Sequence, residues 1–281
     1  MNFPRREELL ETFEDVAELY DRARSRYPQD LFDDVFEITG LVPPARLLEI
    51  GSGTGIATAV IAERGFGVVG IELGESMAYV ARQNLEGSPT VEIITGTFET
   101  YEPGGTFDAV VAFSAFHWID PDVRYQKAAS LIRESGFLVV ADARLVPGDA
   151  DRFFLEVDED YEIALGERAN EEGAPGLTSL RDEMEESGLF RHVAERRYRW
   201  HVTYTDTSYV ELLDSFPWYR ALDPSQRADL YARIRQRIQK RPTQTVTATF
   251  DAVLDVARRT MADVTRRGGT LAASRVPSRA E

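Results

Sequence analysis

Glu49, Gly51, Gly53 and Gly55 occupy alternate positions directly after the apolar run Leu47-Leu48 and directly before Ile56-Ala57-Thr58-Ala59-Val60-Ile61-Ala62. An apolar run reads as a buried strand and the second segment as a helix. A glycine-rich turn between them brings backbone N–H groups and a helix N-terminus close to a ligand. Glycine serves there because a Cβ would hold the ligand off, and because such turns often need a positive φ. The dinucleotide fingerprint G-x-G-x-x-G would require glycine at position 56, where Ile56 stands. A second acid, Glu72, closes the β-branched run Gly67-Val68-Val69-Gly70-Ile71. It follows Gly51 by about the 20 residues at which such folds set an acid on ribose hydroxyls. An adenosine ribose is common to several cofactors, so Glu72 alone does not choose among them.

The order E-x-G-x-G-x-G over Glu49–Gly55 resembles motif I of the class I S-adenosylmethionine-dependent methyltransferases. The resemblance implies that Gly51, Ser52, Gly53 and Gly55 meet the methionyl end of the cofactor, with Glu49 near its amino group. Glu72 and Leu73 would border the ribose. After the third strand many relatives carry an acid near position 97 that reaches the adenine amine. This chain has Thr97, which leaves the adenine to the Phe98 backbone N–H or to Glu99.

The fourth strand and its exit, Phe107 to Asp120, resemble the corresponding segment of small-molecule methyltransferases of the ubiquinone/menaquinone and trans-aconitate group, where a His-Trp pair follows the strand. In that setting Ser114 and Trp118 border the cofactor. An aromatic face there would also attract a sulfonium cation. His117 is the candidate general base, because imidazole titrates near neutral pH; fixing the geometry of the loop is its other reading. Tyr20-Asp21-Arg22-Ala23-Arg24-Ser25-Arg26-Tyr27-Pro28 resembles a Y-x-x-x-R-x-x-Y-P pattern in the same families. Tyr20 and Arg26 are the candidate contacts to the cofactor there.

The elements that must hold these residues alternate: strands over 46–50, 67–72, 91–95, 107–113 and 136–142, and helices over 55–64, 75–85 and 122–132. Alternation at these lengths predicts βαβ units and a parallel sheet with helices on both faces. Ligands of such sheets lie beyond the carboxyl ends of the strands, where Glu49, Glu72, Thr97 and Ser114 fall. Two helices, about 6–20 and 29–39, precede the sheet. An acidic amphipathic helix over 150–172 and a helix over 176–187 follow it. A strand over 191–203 comes next, then a helical segment over 206–240 broken at Pro217 and Pro224. A last strand over 243–250 precedes a short run over 251–261.

The expected fold is thus α/β, a Rossmann-like doubly wound seven-stranded sheet with its last strand antiparallel. The amino-terminal helices (1–44) form a cap, 45–142 the cofactor-binding core, and 143–175 and 205–241 a helical lid. These make one domain over 1–264, and 265–281 reads as a disordered tail.

The chain has 281 residues, 43% of them hydrophobic, enough to fill a substantial core. A net charge of −16 disfavours a polyanionic partner, because phosphate contacts need clustered Lys and Arg. The absence of cysteine removes disulfides and thiolate metal sites and fits a cytoplasmic location. His117, His192 and His201 lack the spacing of a histidine metal site, so no metal is expected. No apolar stretch reaches the roughly 18 residues of a membrane span, and the amino-terminal segment lacks a secretory signal. The resemblance implies S-adenosylmethionine as cofactor and a small-molecule acceptor, without nucleic acid or membrane. Methyl transfer is an in-line displacement in which proximity and orientation supply much of the acceleration. A non-catalytic S-adenosylmethionine-binding protein of the same fold is the alternative.

Overall fold

The computed structural model describes residues 15–146, 150–165 and 177–260. Helices α1 (Ala17–Ala23) and α2 (Gln29–Thr39) lead into β1 (Arg46–Ile50). There follow α3 (Ile56–Glu63), β2 (Gly67–Glu72), α4 (Glu75–Asn84), β3 (Val91–Thr95) and β4 (Phe107–Phe113). A single 3-10 turn, Phe116–Trp118, connects β4 to α5 (Pro121–Leu131), after which β5 runs Ile132–Val146. Short helices α6 (Phe153–Glu156), α7 (Asp158–Leu165) and α8 (Arg181–Glu186) precede β6 (Phe190–Thr205). Helices α9 (Asp206–Asp214), α10 (Pro217–Arg220) and α11 (Pro224–Gln239) lie between β6 and β7 (Thr245–Arg259).

The seven strands form one sheet in the order β3-β2-β1-β4-β5-β7-β6. The pairs among β3, β2, β1, β4 and β5 are parallel, and β7 runs antiparallel to both β5 and β6. β1 pairs with β2 on one side and β4 on the other, so the chain reverses its direction of travel across the sheet there. Ligands of open α/β sheets bind outside the strand ends at such a point.

Side-chain alternation distributes the strand residues between two cores. Leu48, Ile50, Val69, Ile71, Val110, Ala112, Leu138 and Val140 pack with Tyr125, Ala128 and Leu131 of α5 and Met184 of α8. Leu47, Val68, Ala109, Val111 and Val139 pack on the other face with Leu31, Phe32 and Val35 of α2 and Ala57 and Ile61 of α3. A third core, bridged to the second by Trp200, gathers Phe153, Val157, Tyr209, Leu213, Leu230 and Ile234 with Val246 and Ala248.

Helix α1 runs to Ala23, three residues beyond the end expected at 20, while the strands and helices from α2 through β4 and α5 match the expected ranges to within a residue at each end. The later part departs from them. β7 is one strand to Arg259, not a strand ending at 250 followed by a separate run. Asp251 and Asp255 break the apolar pattern of 251–261, yet both are held within the sheet. Arg199 of β6 clamps Asp251 with two bonds of 2.7 Å, and His192 Nε2 lies 2.9 Å from Asp255. β5 likewise continues to Val146, because β7 supplies a partner for every residue of Phe137–Val146. The acidic segment over 150–172 is two short helices through residue 165. The helix expected over 176–187 spans Arg181–Glu186. Pro217 and Pro224 each open a new helix, as the pattern predicts. Residues 166–176, the first part of the helix expected over 6–20, and the 265–281 tail lie outside the described residues. No helix among the described residues is long and apolar enough to cross a membrane.

Candidate functional site

The turn from β1 to α3 is built on left-handed backbone. Gly51, Gly53 and Gly55 have φ of 63°, 57° and 86°. A Cβ on Gly51 would come within 2.6 Å of the Ala115 Cβ, so the turn can pack against the β4 exit only with glycine there. A Cβ on Gly53 would clash with nothing; its nearest neighbours, at 3.7 and 4.0 Å, are Met77 and Tyr20. Both belong to the wall of a cavity that Gly53 itself lines. The amides of Gly51 and Ser52 donate to the Ile71 carbonyl at 2.8 and 3.1 Å, tying the turn to the end of β2.

The wall of this cavity also includes Glu72, Leu73, Thr97, Phe98, Ser114 and Trp118, which come from the carboxyl ends of β2, β3 and β4. The Glu72 carboxylate is fixed by two backbone donors, Gly53 N–H at 2.8 Å and Gly74 N–H at 2.9 Å. The glycine turn and the second acid, 19 residues apart, therefore hold each other in place.

Glu49 lies beneath the turn rather than in the cavity wall. It is 1% exposed and accepts a 2.6 Å bond from Thr58 Oγ1 of α3. Burial, reinforced by the Glu72 charge and opposed by the Thr58 bond, pushes its carboxyl up to about 8. Ser52 is buried too, and its hydroxyl has no hydrogen-bond partner. Gly55 packs against Leu85, which caps the end of α4, outside the cavity wall.

Past β4, Ser114 adopts a φ of 52°, unusual for a residue with a side chain. Its hydroxyl is 2.6 Å from the Tyr27 hydroxyl and accepts from Ala143 N–H at 3.2 Å, bonds that hold this conformation. Ser114 and Ala115 are shared with a second, polar cavity lined by His117, Arg124, Asp142, Arg144, Glu183 and Asp255. His117 and Trp118 diverge here, His117 lining the second cavity and Trp118 the first. The His117 side chain is 49% exposed, with Nδ1 3.9 Å from an Asp142 oxygen. Partial burial moves its pKa below the ordinary value; Asp142 opposes that shift, and Arg144 and Arg124 add to it.

The amino-terminal segment closes the cavity from above. Tyr20 lines it, and Thr54 of the glycine turn donates to Asp21 at 2.8 Å. Arg26 turns away: it donates to the Asp21 carbonyl at 2.9 Å and stays exposed. Arg24, which stands at the arginine of the Y-x-x-x-R-x-x-Y-P pattern, is the one that faces inward, in place of Arg26. The four-residue step from Tyr20 was the available signal, since it stacks side chains along one helix face.

The described residues also match known proteins. A family model described as "Methyltransferase domain" matches residues 48–140. An uncharacterized methyltransferase of Geobacillus kaustophilus is 31% identical over 159 residues, spanning 53% of this chain and 73% of that protein. The chain belongs to the S-adenosylmethionine-dependent methyltransferases. An uncharacterized methyltransferase of Mycobacterium tuberculosis is 29% identical over 241 residues, 84% of this chain and 89% of the relative. Among solved structures, a putative type II methyltransferase of Anaeromyxobacter dehalogenans shares the fold, with a TM-score of 0.57 at 19% identity over 84% of this chain and 97% of that one. The methyltransferase domain thus coincides with the stretch that carries the glycine turn, both acids and the β4 strand. S-adenosylmethionine is the donor of this family, and the cavity suits it. Gly53 leaves open space that a side chain would fill, and the Glu72 carboxylate is anchored at the rim.

Proposed function

We propose that this methyltransferase acts on a small molecule enclosed between α1 and the helices α9–α11. The closure of these two parts over one strand edge carries the reading. Arg24 donates to the Ser215 carbonyl at 3.0 Å, Arg22 approaches Glu211 at 3.4 Å, and Trp200 donates to Ser25 at 2.8 Å. Contacts from both ends of the chain favour an acceptor small enough to be surrounded, and a dry enclosure favours displacement over hydrolysis. The charge of −16 supports an acceptor other than nucleic acid. The cysteine-free composition fits a cytoplasmic enzyme.

When bound, S-adenosylmethionine supplies an electrophilic methyl group on a sulfonium centre. Gly51 and Gly53 would admit its methionyl end to the backbone, and Glu72 would accept from the ribose hydroxyls. Leu73, Thr97 and Phe98 would border the adenine, and Trp118 and Tyr20 would wall the sulfonium side. Glu49 acts through Thr58 and the underside of the turn. The remaining contribution is orientation of the acceptor along the displacement axis.

The test is a library of low-molecular-weight acceptors incubated with methyl-labelled donor. The reading expects labelled product from at least one compound. Donor binding with transfer only to RNA or protein would overturn it.

His117 is expected to position the β4 exit rather than to remove a proton. With a hydroxyl acceptor, His117→Ala should lower turnover by less than about tenfold, against the 10²–10⁴-fold typical of losing a general base. At saturating donor the rate should not titrate between about pH 6 and 8. A larger loss accompanied by a disappearing acid limb would restore the base.

A further inference from the structure

We propose that the polar cavity sharing Ser114 with the donor cavity receives the reacting end of the acceptor, and that Asp142 selects an amine there. This rests on the small-molecule reading above and adds which kind of atom is methylated. The polar cavity encloses about 170 Å³. A cavity of roughly 150 Å³ holds benzene, so a group of about six to eight non-hydrogen atoms fits. Its wall is drawn from the β4 exit, β5, α5, α8 and β7. Ser114 and Ala115 belong to this wall and to that of the donor cavity, so the two spaces adjoin at one edge.

Three carboxylates line the polar cavity, and two of them are already engaged. Glu183 of α8 accepts from Arg124 and, at 3.1 Å, from the Tyr125 hydroxyl. Asp255 of β7 accepts from Ser179 Oγ at 2.5 Å and from the Leu180 amide at 2.9 Å, with His192 Nε2 also at 2.9 Å. Asp142 differs. Its side chain is 28% exposed, and the nitrogens beside it, His117 Nδ1 at 3.9 Å and an Arg144 Nη at 3.8 Å, stand beyond hydrogen-bond distance. Among the described residues its carboxylate accepts no hydrogen bond.

The fold sets this acid at the shared edge. Ala141 pairs with Phe113, the last residue of β4, so Asp142 is the first residue of β5 beyond that strand. The Ser114 amide donates to the Ala141 carbonyl at 2.7 Å, and the Ala143 amide donates to Ser114 Oγ at 3.2 Å. These bonds fasten the serine on both sides of Asp142.

An ionised carboxylate with open acceptor positions favours a partner that carries hydrogen-bond donors. Charge then separates the nucleophiles. A phenolate, thiolate or carboxylate would bring a second negative charge beside Asp142 and is repelled. An alcohol must also lose a proton in reacting. A neutral amine instead gains positive charge: its lone pair forms the N–C bond as the methyl–sulfur bond breaks, and the electron pair of that bond stays on sulfur. No proton moves in the step, and the ammonium N–H that results meets a carboxylate with room for it. A fixed anion where positive charge develops lowers the barrier.

The test loads the full chain with S-adenosylhomocysteine and titrates it calorimetrically with benzylamine and cyclohexylamine. Each is set beside its alcohol and its acid: benzyl alcohol and benzoate, cyclohexanol and cyclohexanecarboxylate. The protonated amines imitate the methylated product. At least one amine is expected to bind about tenfold or more tighter than its alcohol, and neither carboxylate to bind measurably. Asp142→Asn should erase that preference and Asp142→Glu should retain part of it. S-adenosylhomocysteine affinity should stay within about twofold in both, and circular dichroism verifies that each is folded. With methyl-labelled donor, the wild type should label amines, and Asp142→Asn should lower kcat by about tenfold or more. Equal binding of amine and alcohol, binding of none of these probes, or an amine preference that survives Asp142→Asn overturns the proposal. Labelling confined to oxygen, carbon or sulfur overturns it as well. The small-molecule reading survives those outcomes and falls separately, if label reaches only RNA or protein. Failure of the wild type to bind S-adenosylhomocysteine overturns the donor cavity, and this proposal with it.

Discussion

Gly53→Val is expected to abolish measurable S-adenosylmethionine binding while the protein remains folded. The backbone at Gly53 has a φ of 57°, where a β-branched residue is strained by about 1–2 kcal/mol. That strain is small beside the stability of a chain this size. Its consequence for the ligand is larger, since the new side chain would fill the space between Met77 and Tyr20 in the cavity wall. Any shift that relieves the strain also moves the Gly53 amide away from Glu72, releasing the carboxylate from its anchor. Calorimetry against wild type should show at least a hundredfold loss, on the order of 3 kcal/mol of binding energy. Gly104→Val is the control: open space surrounds that position and its φ is ordinary, so binding should persist. Wild-type affinity in Gly53→Val would show that the turn does not approach the ligand.

The second large effect concerns protons. Glu49 has an ordinary value of 4.5 and is pushed up to about 8 by burial and by the nearby Glu72 charge. Between those two values the folded protein holds a proton that the unfolded chain has released. Folding stability therefore falls as pH rises through this window, at about 1.4 kcal/mol per pH unit for one proton. Below the window both states are protonated and above it neither is, so the slope vanishes at both ends. Glu49→Gln mimics the protonated carboxyl and can still accept from Thr58. Its melting temperature should gain on wild type progressively from pH 5 to 8, each kcal/mol moving Tm by about 2–4 °C.

A cationic donor placed near Glu49 would favour the ionised form. Binding of S-adenosylmethionine at pH 7 should then release a proton, and its heat should vary with the ionisation enthalpy of the buffer. The glutamine variant should lose that variation. A wild-type protein whose binding heat is the same in phosphate and in Tris would refute the linkage.

How far the sequence reaches is set by where each interaction comes from. The ranges of β1 to β4 were legible because each strand is a short apolar run bounded by glycine, proline or charge, and every one of those signals is local. The end of β7 was not. Asp251 and Asp255 look like interruptions until Arg199 and His192, more than 50 residues earlier, are seen beside them. The cavity proposed for the donor was legible for a similar reason: turn, acid and strand end lie within one βαβ unit, and most of its other residues close neighbouring strands. Arg24 and Arg26 show the opposite case. Both read as charges at the end of a helix, and only contacts with Ser215 and Phe216, 191 and 192 positions away, bring one of them inward. His117 and Trp118 line different cavities although they are neighbours in one 3-10 turn, and the turn that carries them follows a left-handed serine, which has no sequence signature.

The third core has a bearing on what can change in this chain. Residues that shape the donor cavity come mainly from β1 to β4, while the helices over the acceptor edge hang on the β6–β7 hairpin and pack on one another. A substitution among Phe153, Tyr209, Leu213 or Ile234 can reshape the roof without disturbing the glycine turn. A chain built this way can keep the glycine turn fixed while the roof above it is remade.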